Sequence, residues 1–225
     1  MKRTAIAAVI ALFSSSIYAE EQPFYLKASL GFTQFDSSDN AYVTKEDLDS
    51  TGYGFTLGYR INKYIAIEAG MTDLGSTEQQ SRYELHDEGD YDIDGYKYIV
   101  DVSSTSHAKT EYKSYSLGTA FTAQLHRHLS ASARFGVHQW RKTSGGTASY
   151  AYSGSWYSPS GELLESESVS WSGDWDAEKE SSSNPYYGAE ISWSTGTWDI
   201  GLEHTIFEIE DEKANFTALG IIYSF

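Results

Sequence analysis

At the end of this chain every second residue is large or apolar. Counting back from Phe225, the set is Phe225, Tyr223, Ile221, Leu219 and Thr217, with Ser224, Ile222, Gly220 and Ala218 between them. A period of two puts alternate side chains on opposite faces of a β-strand. A terminal aromatic suits a strand with one face in lipid and the other in a packed lumen. Seven more segments repeat the pattern. Residues 24–35 set Phe24, Leu26, Ala28, Leu30 and Phe32 against Tyr25, Lys27, Ser29, Gly31 and Thr33. Residues 51–61 set Tyr53, Phe55, Leu57, Tyr59 and Ile61 against glycines, Thr56 and Arg60; residues 64–74 set Ile65, Ile67, Ala69 and Met71 against Ala66, Glu68, Gly70 and Thr72. Residues 114–125, 129–140, 185–193 and 198–209 alternate likewise, with His204 the one awkward outward residue.

Eight segments, each near the ~9–11 residues of a tilted spanning strand, predict an all-β protein: an eight-stranded antiparallel up-and-down transmembrane β-barrel with long extracellular hairpin loops. The register is energetically forced. A one-residue slip would turn Arg60, Glu68, Arg134 or Glu190 into lipid, at roughly 2–4 kcal/mol for a midplane Arg and somewhat less for a carboxylate. Connections alternate in length. Asn62-Lys63, His126-Arg127-His128 and Ser194-Thr195-Gly196-Thr197 are short turns, whereas the segments before the second, fourth and sixth strands run to about 15, 39 and 44 residues. In such barrels short turns face the periplasm and long loops the exterior. The four outer segments (36–50, 75–113, 141–184 and 208–214) hold 25 of the 32 acidic residues.

The N-terminus fits the same address. Lys2 and Arg3 precede an apolar run from Ala5 to Phe13, and Ser14–Ala19 offers a cleavage site after Ala19. Residues 1–19 therefore read as a secretory signal peptide, leaving 20–225 as one barrel domain. No run of eighteen apolar residues could form a membrane helix, and with no cysteine there is no disulfide framework. The 18 Tyr and 6 Trp suit interfacial girdles. The net charge of −16, which becomes −18 once Lys2 and Arg3 are removed, excludes nucleic acid as a partner.

The runs Phe-Tyr-Leu-Lys-Ala-Ser-Leu-Gly-Phe (24–32), Ala-Ile-Glu-Ala-Gly-Met-Thr-Asp-Leu-Gly (66–75) and Ala-Arg-Phe-Gly-Val-His-Gln-Trp-Arg (133–141), together with the terminal strand, resemble the OmpA/OmpX family of small outer-membrane barrels. The resemblance implies the cell outer membrane of a Gram-negative bacterium, contact with outer-membrane lipids and lipopolysaccharide, a monomer, and recognition by the barrel-assembly machinery through the strand ending at Phe225. OmpA itself carries a peptidoglycan-binding domain after its barrel. With Phe225 as the final residue, that role is not expected here. The resemblance also matches Glu68 to a glutamate of an interior ion-pair switch, but the lysine of that switch is Ala120 in this chain.

Three groups of residues are candidate sites. The inward charges Lys27, Arg60, Glu68, Arg134, Glu190 and Glu203 are expected to form an interior ionic network, because an unpaired buried ion is expensive. Asp90, Asp92, Asp94 and Asp101, with Gly95, match the spacing of a calcium loop. Lys97, the short acid at the last position and the lack of flanking helices favour instead a hairpin turning at Asp94-Gly95, with Asp92 opposite Lys97. Tyr150, Tyr152, Trp156, Tyr157, Trp171 and Trp175 lie among Ser and Gly in the longest loop, beside a turn at Ser158-Pro159-Ser160-Gly161, and make an adhesive surface or stitch the hairpins together. No cofactor is expected.

Enzymatic readings lack their residues. A barrel-type lipid A deacylase needs a serine two positions from its histidine, yet His204 is followed by Thr205 and Ile206. A barrel-type acyltransferase needs a leading helix, where this chain has Glu20-Glu21-Gln22-Pro23. His126 and His128 lack a third metal ligand. The sequence therefore predicts a non-enzymatic barrel displaying acidic, aromatic-rich surface loops for adhesion, environmental interaction or envelope integrity. The alternatives are a narrow gated channel and a surface calcium or lipid binder.

Overall fold

The computed structural model describes residues 22–36, 43–90, 95–210 and 212–225. The segment expected to be a signal peptide, residues 1–19, lies outside them. Nine strands run in chain order: β1 (Phe24–Phe35), β2 (Val43–Asp47), β3 (Asp49–Asn62), β4 (Ile65–Asp90), β5 (Lys97–His126), β6 (Leu129–Tyr157), β7 (Leu163–Ser194), β8 (Trp198–Ile209) and β9 (Glu212–Ser224). All pairings are antiparallel, and each strand except the short β2 pairs with its neighbours in sequence. The first and last strands also pair, from Tyr25↔Ser224 to Phe35↔Ala214. Eight strands thus close into a ring, with β2 appended to β4 opposite residues 78–81. Closure satisfies every edge at membrane depth, where no water could do so.

Alternation in sequence becomes alternation in exposure. Along β1, even-numbered residues point out and odd ones in without exception, and β9 keeps an equally strict alternation. Leu30, Phe32, Leu117, Phe135, Ile191, Leu219 and Ile221 form part of an apolar outer band, each more than half exposed to the surroundings. His204 sits on this outer face with its Nδ1 2.8 Å from the Thr217 hydroxyl, so two polar groups there satisfy one another.

The four middle strands depart from expectation. The long segments are not loops. β4 to β7 run for 26 to 32 residues each, and pairing continues past the ring to Asp90↔Lys97, Lys97↔Tyr157 and Tyr157↔Leu163. Beyond the ring, these strands form a four-stranded sheet, joined only by the short β2 at residues 78–81 of β4. Two turns also shift. Lys63 and Tyr64, rather than Asn62 and Lys63, make the first short turn, because the Asn62 side chain accepts the amides of Tyr64 and Ile65 at 2.8 and 3.0 Å. In the β4–β5 hairpin it is Asp90, not Asp92, that faces Lys97. Gly95 has φ +74°, as a turn glycine does. The turn at 158–161 stands where the sequence put it, with Gly161 at φ +84° donating to Ser158 O.

Candidate functional site

Chemistry collects in two places, the lumen and the sheet beyond it. Inside the ring, Lys27 from β1, Glu68 from β4, Arg134 from β6, Glu190 from β7 and Glu203 from β8 converge, each at most 6% exposed. The planar Arg134 guanidinium serves three carboxylates, with Nε 3.0 Å from Glu68, Nη2 2.8 Å from Glu190 and Nη1 3.0 Å from Glu203. Lys27 Nζ lies 2.5 Å from Glu203 and 3.3 Å from Glu190. The Tyr25 hydroxyl donates to Glu68 at 2.5 Å. Its ring occupies the space left by Gly58 opposite, where an added Cβ would meet it at 2.0 Å.

Arg60 stands apart from these five. Its guanidinium lies 4.7 Å from the centre of the Tyr25 ring, and Nη1 donates to Ser224 Oγ at 3.0 Å and Gln22 O at 3.1 Å. The expected six-member network is therefore five charges plus Tyr25, with Arg60 joined only through the tyrosine ring. Ala120 packs with Tyr25, Ala66 and Ile222, so an apolar contact fills the position where the resemblance places a lysine.

The lumen is asymmetric about this cluster. Toward the short turns lies a cavity of about 480 Å³ lined by Arg60, Thr122, Ser132, Ser192, Asp199 and the cluster's own faces. Toward the long strands Phe35, Leu74, Tyr112, Trp140, Tyr186, Phe207 and Phe216 pack as one apolar plug. His138 is fixed within the plug: its Nε2–H donates to the Glu208 carbonyl at 2.8 Å, and its Nδ1 lies 2.9 Å from the Ser114 hydroxyl. Trp140 donates to Asn184 at 2.8 Å.

Beyond the plug the sheet has two unlike faces. The face continuous with the lumen carries the row Leu85–Val102–Tyr152–Val169 and the row Tyr83–Ser104–Tyr150–Trp171, each running across all four strands. Tyr83, Leu85, Tyr150, Val169 and Trp171 are exposed, as is Trp175 further toward the ring. Tyr152 and Trp156 cover Gly154, and Trp171 covers Gly173, so the rings also shield glycine backbone. Tyr157, opposite Leu163, lies on the other face. That face is polar: Ser103, Ser149, Ser153, Ser168, Ser170 and Ser172 accompany the pairs His86–Asp101 at 2.6 Å and Lys97–Asp90 at 4.0 Å. The hydrogen bond to the Asp101 carboxylate, and then its charge, holds the exposed His86 above its usual range.

Of the calcium-loop residues, Asp92 and Asp94 lie outside the described residues. Asp90 and Asp101 are drawn apart by pairing, one to Lys97 and the other to His86. Residues 97–101 are extended, and at about 3.3 Å per residue the two acids stand roughly 13 Å apart along the sheet. The ends of the motif do not meet. Among the described residues no three His, Asp or Glu side chains are grouped to hold a metal ion.

Closure of eight antiparallel strands with an apolar exterior agrees with what the chain matches: residues 5–225 fit the family model for the outer membrane protein beta-barrel domain. The chain belongs to that family. It is a protein of the cell outer membrane. No curated protein sequence matches it. Among solved structures it is similar to Ail, the attachment invasion locus protein of Yersinia pestis, solved with the heparin analogue sucrose octasulfate (15% identity, 90% of this chain and 99% of that one, TM-score 0.42). It is also similar to the N-terminal β-barrel of Pseudomonas aeruginosa OprF (11% identity, 91% and 98%, TM-score 0.43) and to Neisserial surface protein A (11% identity, 90% and 97%, TM-score 0.34).

Two features of this outer-membrane barrel escaped the sequence reading. Tyr25 was placed on the inner face but not in the ion cluster, although its position opposite Gly58 was a usable signal. The plug lies where the alternation inverts: Trp140 sits between the outward Gln139 and Arg141, and Phe216 between Asn215 and Thr217, so the apolar residue is the inner one there.

Proposed function

We propose that this outer-membrane barrel is a non-enzymatic surface-display protein. In this reading the short turns face the periplasm, and the β4–β7 sheet stands outside the cell as a platform for adhesion or environmental contact. One observation carries it: the sheet leaves the barrel with an apolar, aromatic face uncovered. Exposed patches of that kind mark interaction sites. Tyr and Trp set among Ser and Gly supply large contact area at low entropic cost. The blocked lumen supports display over conduction, because a solute would have to pass both the ion cluster and the aromatic plug.

The test is to shorten β4–β5 and β6–β7 to tight turns just above Leu74, Tyr112, Trp140 and Tyr186, leaving the plug intact. Cells bearing the shortened barrel, inserted at the wild-type level, should adhere less to surfaces and matrix proteins. Equal adhesion would overturn the proposal.

A further inference from the structure

The cavity on the short-turn side of the ion cluster is a dead end with its own mouth. Asn62 and Lys63 at the first short turn and Gly196 and Thr197 at the third frame the opening. Glu68, Arg134 and Glu190 form the floor, and the aromatic plug lies beyond them. Its volume of about 480 Å³ falls within the roughly 300–1,000 Å³ of small-molecule sites. The walls are hydroxyls, among them the pairs Thr122–Ser132 at 2.9 Å and Ser130–Ser192 at 2.8 Å. Each pair shares one hydrogen between two hydroxyls, which leaves a second O–H and further lone pairs for a guest. Such a lining rejects an acyl chain and accepts a small polar solute.

Two charges lining this cavity lack counter-charges. Arg60 enters no ion pair among the described residues; Nη1 serves Ser224 and Gln22, while Nε and Nη2 bond to none of those residues. Asp199, from β8, likewise enters no ion pair there, and its Oδ1 is buried without a hydrogen-bond partner. Buried polar atoms of that kind are rare and call for a reason. The cluster beside them is matched, since Lys27 and Arg134 between them serve all three carboxylates. The two unmatched groups are also neighbours. Asp199 pairs with Ile222, and Ser224, which holds Arg60, lies two residues along the same strand. At about 3.3 Å per residue and about 4.8 Å between strands, the Cα atoms of Asp199 and Ser224 stand roughly 8 Å apart. A hydrogen bond of about 3 Å at each end leaves roughly 2–3 Å between the guest's charges, the spacing of an ammonium and a carboxylate on one carbon. A lone anion would leave Asp199 unmatched, and a lone cation would leave Arg60 so.

We propose that this cavity binds a small α-amino acid, with its carboxylate on Arg60 and its ammonium on Asp199. The remaining volume, walled by hydroxyls, suits a small or polar side chain. This goes beyond surface display, because it sets a second site at the opposite end of the barrel. With the short turns toward the periplasm, the ligand comes from within the envelope rather than from outside the cell.

The test uses the protein refolded in a non-ionic polyoxyethylene detergent, whose head group carries no charge to compete. Alanine and serine should bind saturably, read by calorimetry and by shifts in the amide NMR signals of Arg60, Ser192 and Asp199. Acetate and methylammonium each carry one of the two charges and should bind at least about tenfold more weakly. Arg60→Met and Asp199→Asn, first checked for folding by gel mobility, should each weaken alanine binding by about tenfold. Asp199→Lys presents two cations and should prefer malonate to alanine, a reversal that misfolding would not produce.

Alanine binding no tighter than acetate would make Arg60 a plain anion site, and binding no tighter than methylammonium would make Asp199 a plain cation site. Either result overturns the proposal, as does the absence of saturable binding. Binding that survives both Arg60→Met and Asp199→Asn puts the ligand elsewhere and overturns it too. The barrel with shortened β4–β5 and β6–β7 hairpins keeps this cavity and should bind alanine as the wild type does; loss of binding there would move the ligand to the sheet and sink the proposal. Adhesion and amino-acid binding are thus scored separately on the same pair of proteins, and the failure of one leaves the other standing.

Discussion

Replacing Arg134 by Met is the most demanding test of the lumen. Three buried carboxylates share two buried cations, and Arg134 contacts all three at 2.8 to 3.0 Å. Breaking a buried ion pair by removing one partner costs about 3–5 kcal/mol. The lower end applies here, because no carboxylate is left without a donor: Tyr25 still serves Glu68, and Lys27 still serves Glu190 and Glu203. A loss of about 3 kcal/mol is roughly a hundredfold in the folding equilibrium. With a urea dependence of about 1–3 kcal/mol per molar, the unfolding midpoint in lipid vesicles should fall by roughly 1–3 M. Adding Glu190→Gln to the same chain removes one of the crowded charges and should recover at least part of that loss. Arg60→Met should cost far less, since Arg60 is half-buried and bonds only a hydroxyl and a carbonyl. An Arg134→Met midpoint within about 0.3 M of wild type, or a loss no larger than that of Arg60→Met, would refute the claim that this cluster is a single coupled unit.

Further outcomes follow from the same geometry. Tyr25→Phe removes one hydrogen bond to a buried carboxylate and should cost about 1.5–3 kcal/mol in the same unfolding assay. Gly58→Ala would place a methyl inside the Tyr25 ring and should destabilise by about 1–3 kcal/mol, with less cost when combined with Tyr25→Ala. Glu68→Ala should leave planar-bilayer conductance at baseline, because the plug of Phe35, Tyr112, Trp140 and Phe207 remains closed beyond it; discrete openings would restore the channel reading. His86 should titrate above about 6.5 by NMR, and Asp101→Asn should bring it down. Because the folded value is raised, whatever stability the pair gives is fully present below the unfolded value and is lost as pH rises through the folded one.

Legibility in the sequence tracked the environment of each strand. β1 and β8 were bounded correctly because lipid on one face and a packed interior on the other force strict alternation along their whole length. The outer halves of β4 to β7 read as loops because water lies on both faces. There the period of two is broken. Tyr150, Tyr152 and Trp156, and Val169 and Trp171, alternate with small residues, but 103–110 and 177–184 carry no such pattern. Strand structure is held by ladder pairing with neighbours that single-sequence patterning does not detect. The aromatic residues of the long segments were found, but not the sheet face they share. That face depends on a bulge between Ser144 and Gly146 and on the register of four strands at once. The calcium-like spacing was likewise a local pattern, and pairing drew its two ends apart.

By itself, the sequence determined the barrel, its strand number, its register and the inward direction of its charges. An Arg or a carboxylate turned into lipid costs enough that few arrangements survive. Only the tertiary structure decided which inward charges meet, since Arg60 on β3 and Arg134 on β6 have the same inward pattern and only Arg134 reaches the carboxylates. It also decided that the outer half of the lumen is sealed by aromatics and that the long segments rise as one sheet. Those outcomes depend on contacts between residues far apart in the chain, and a period of two along a single strand does not encode them.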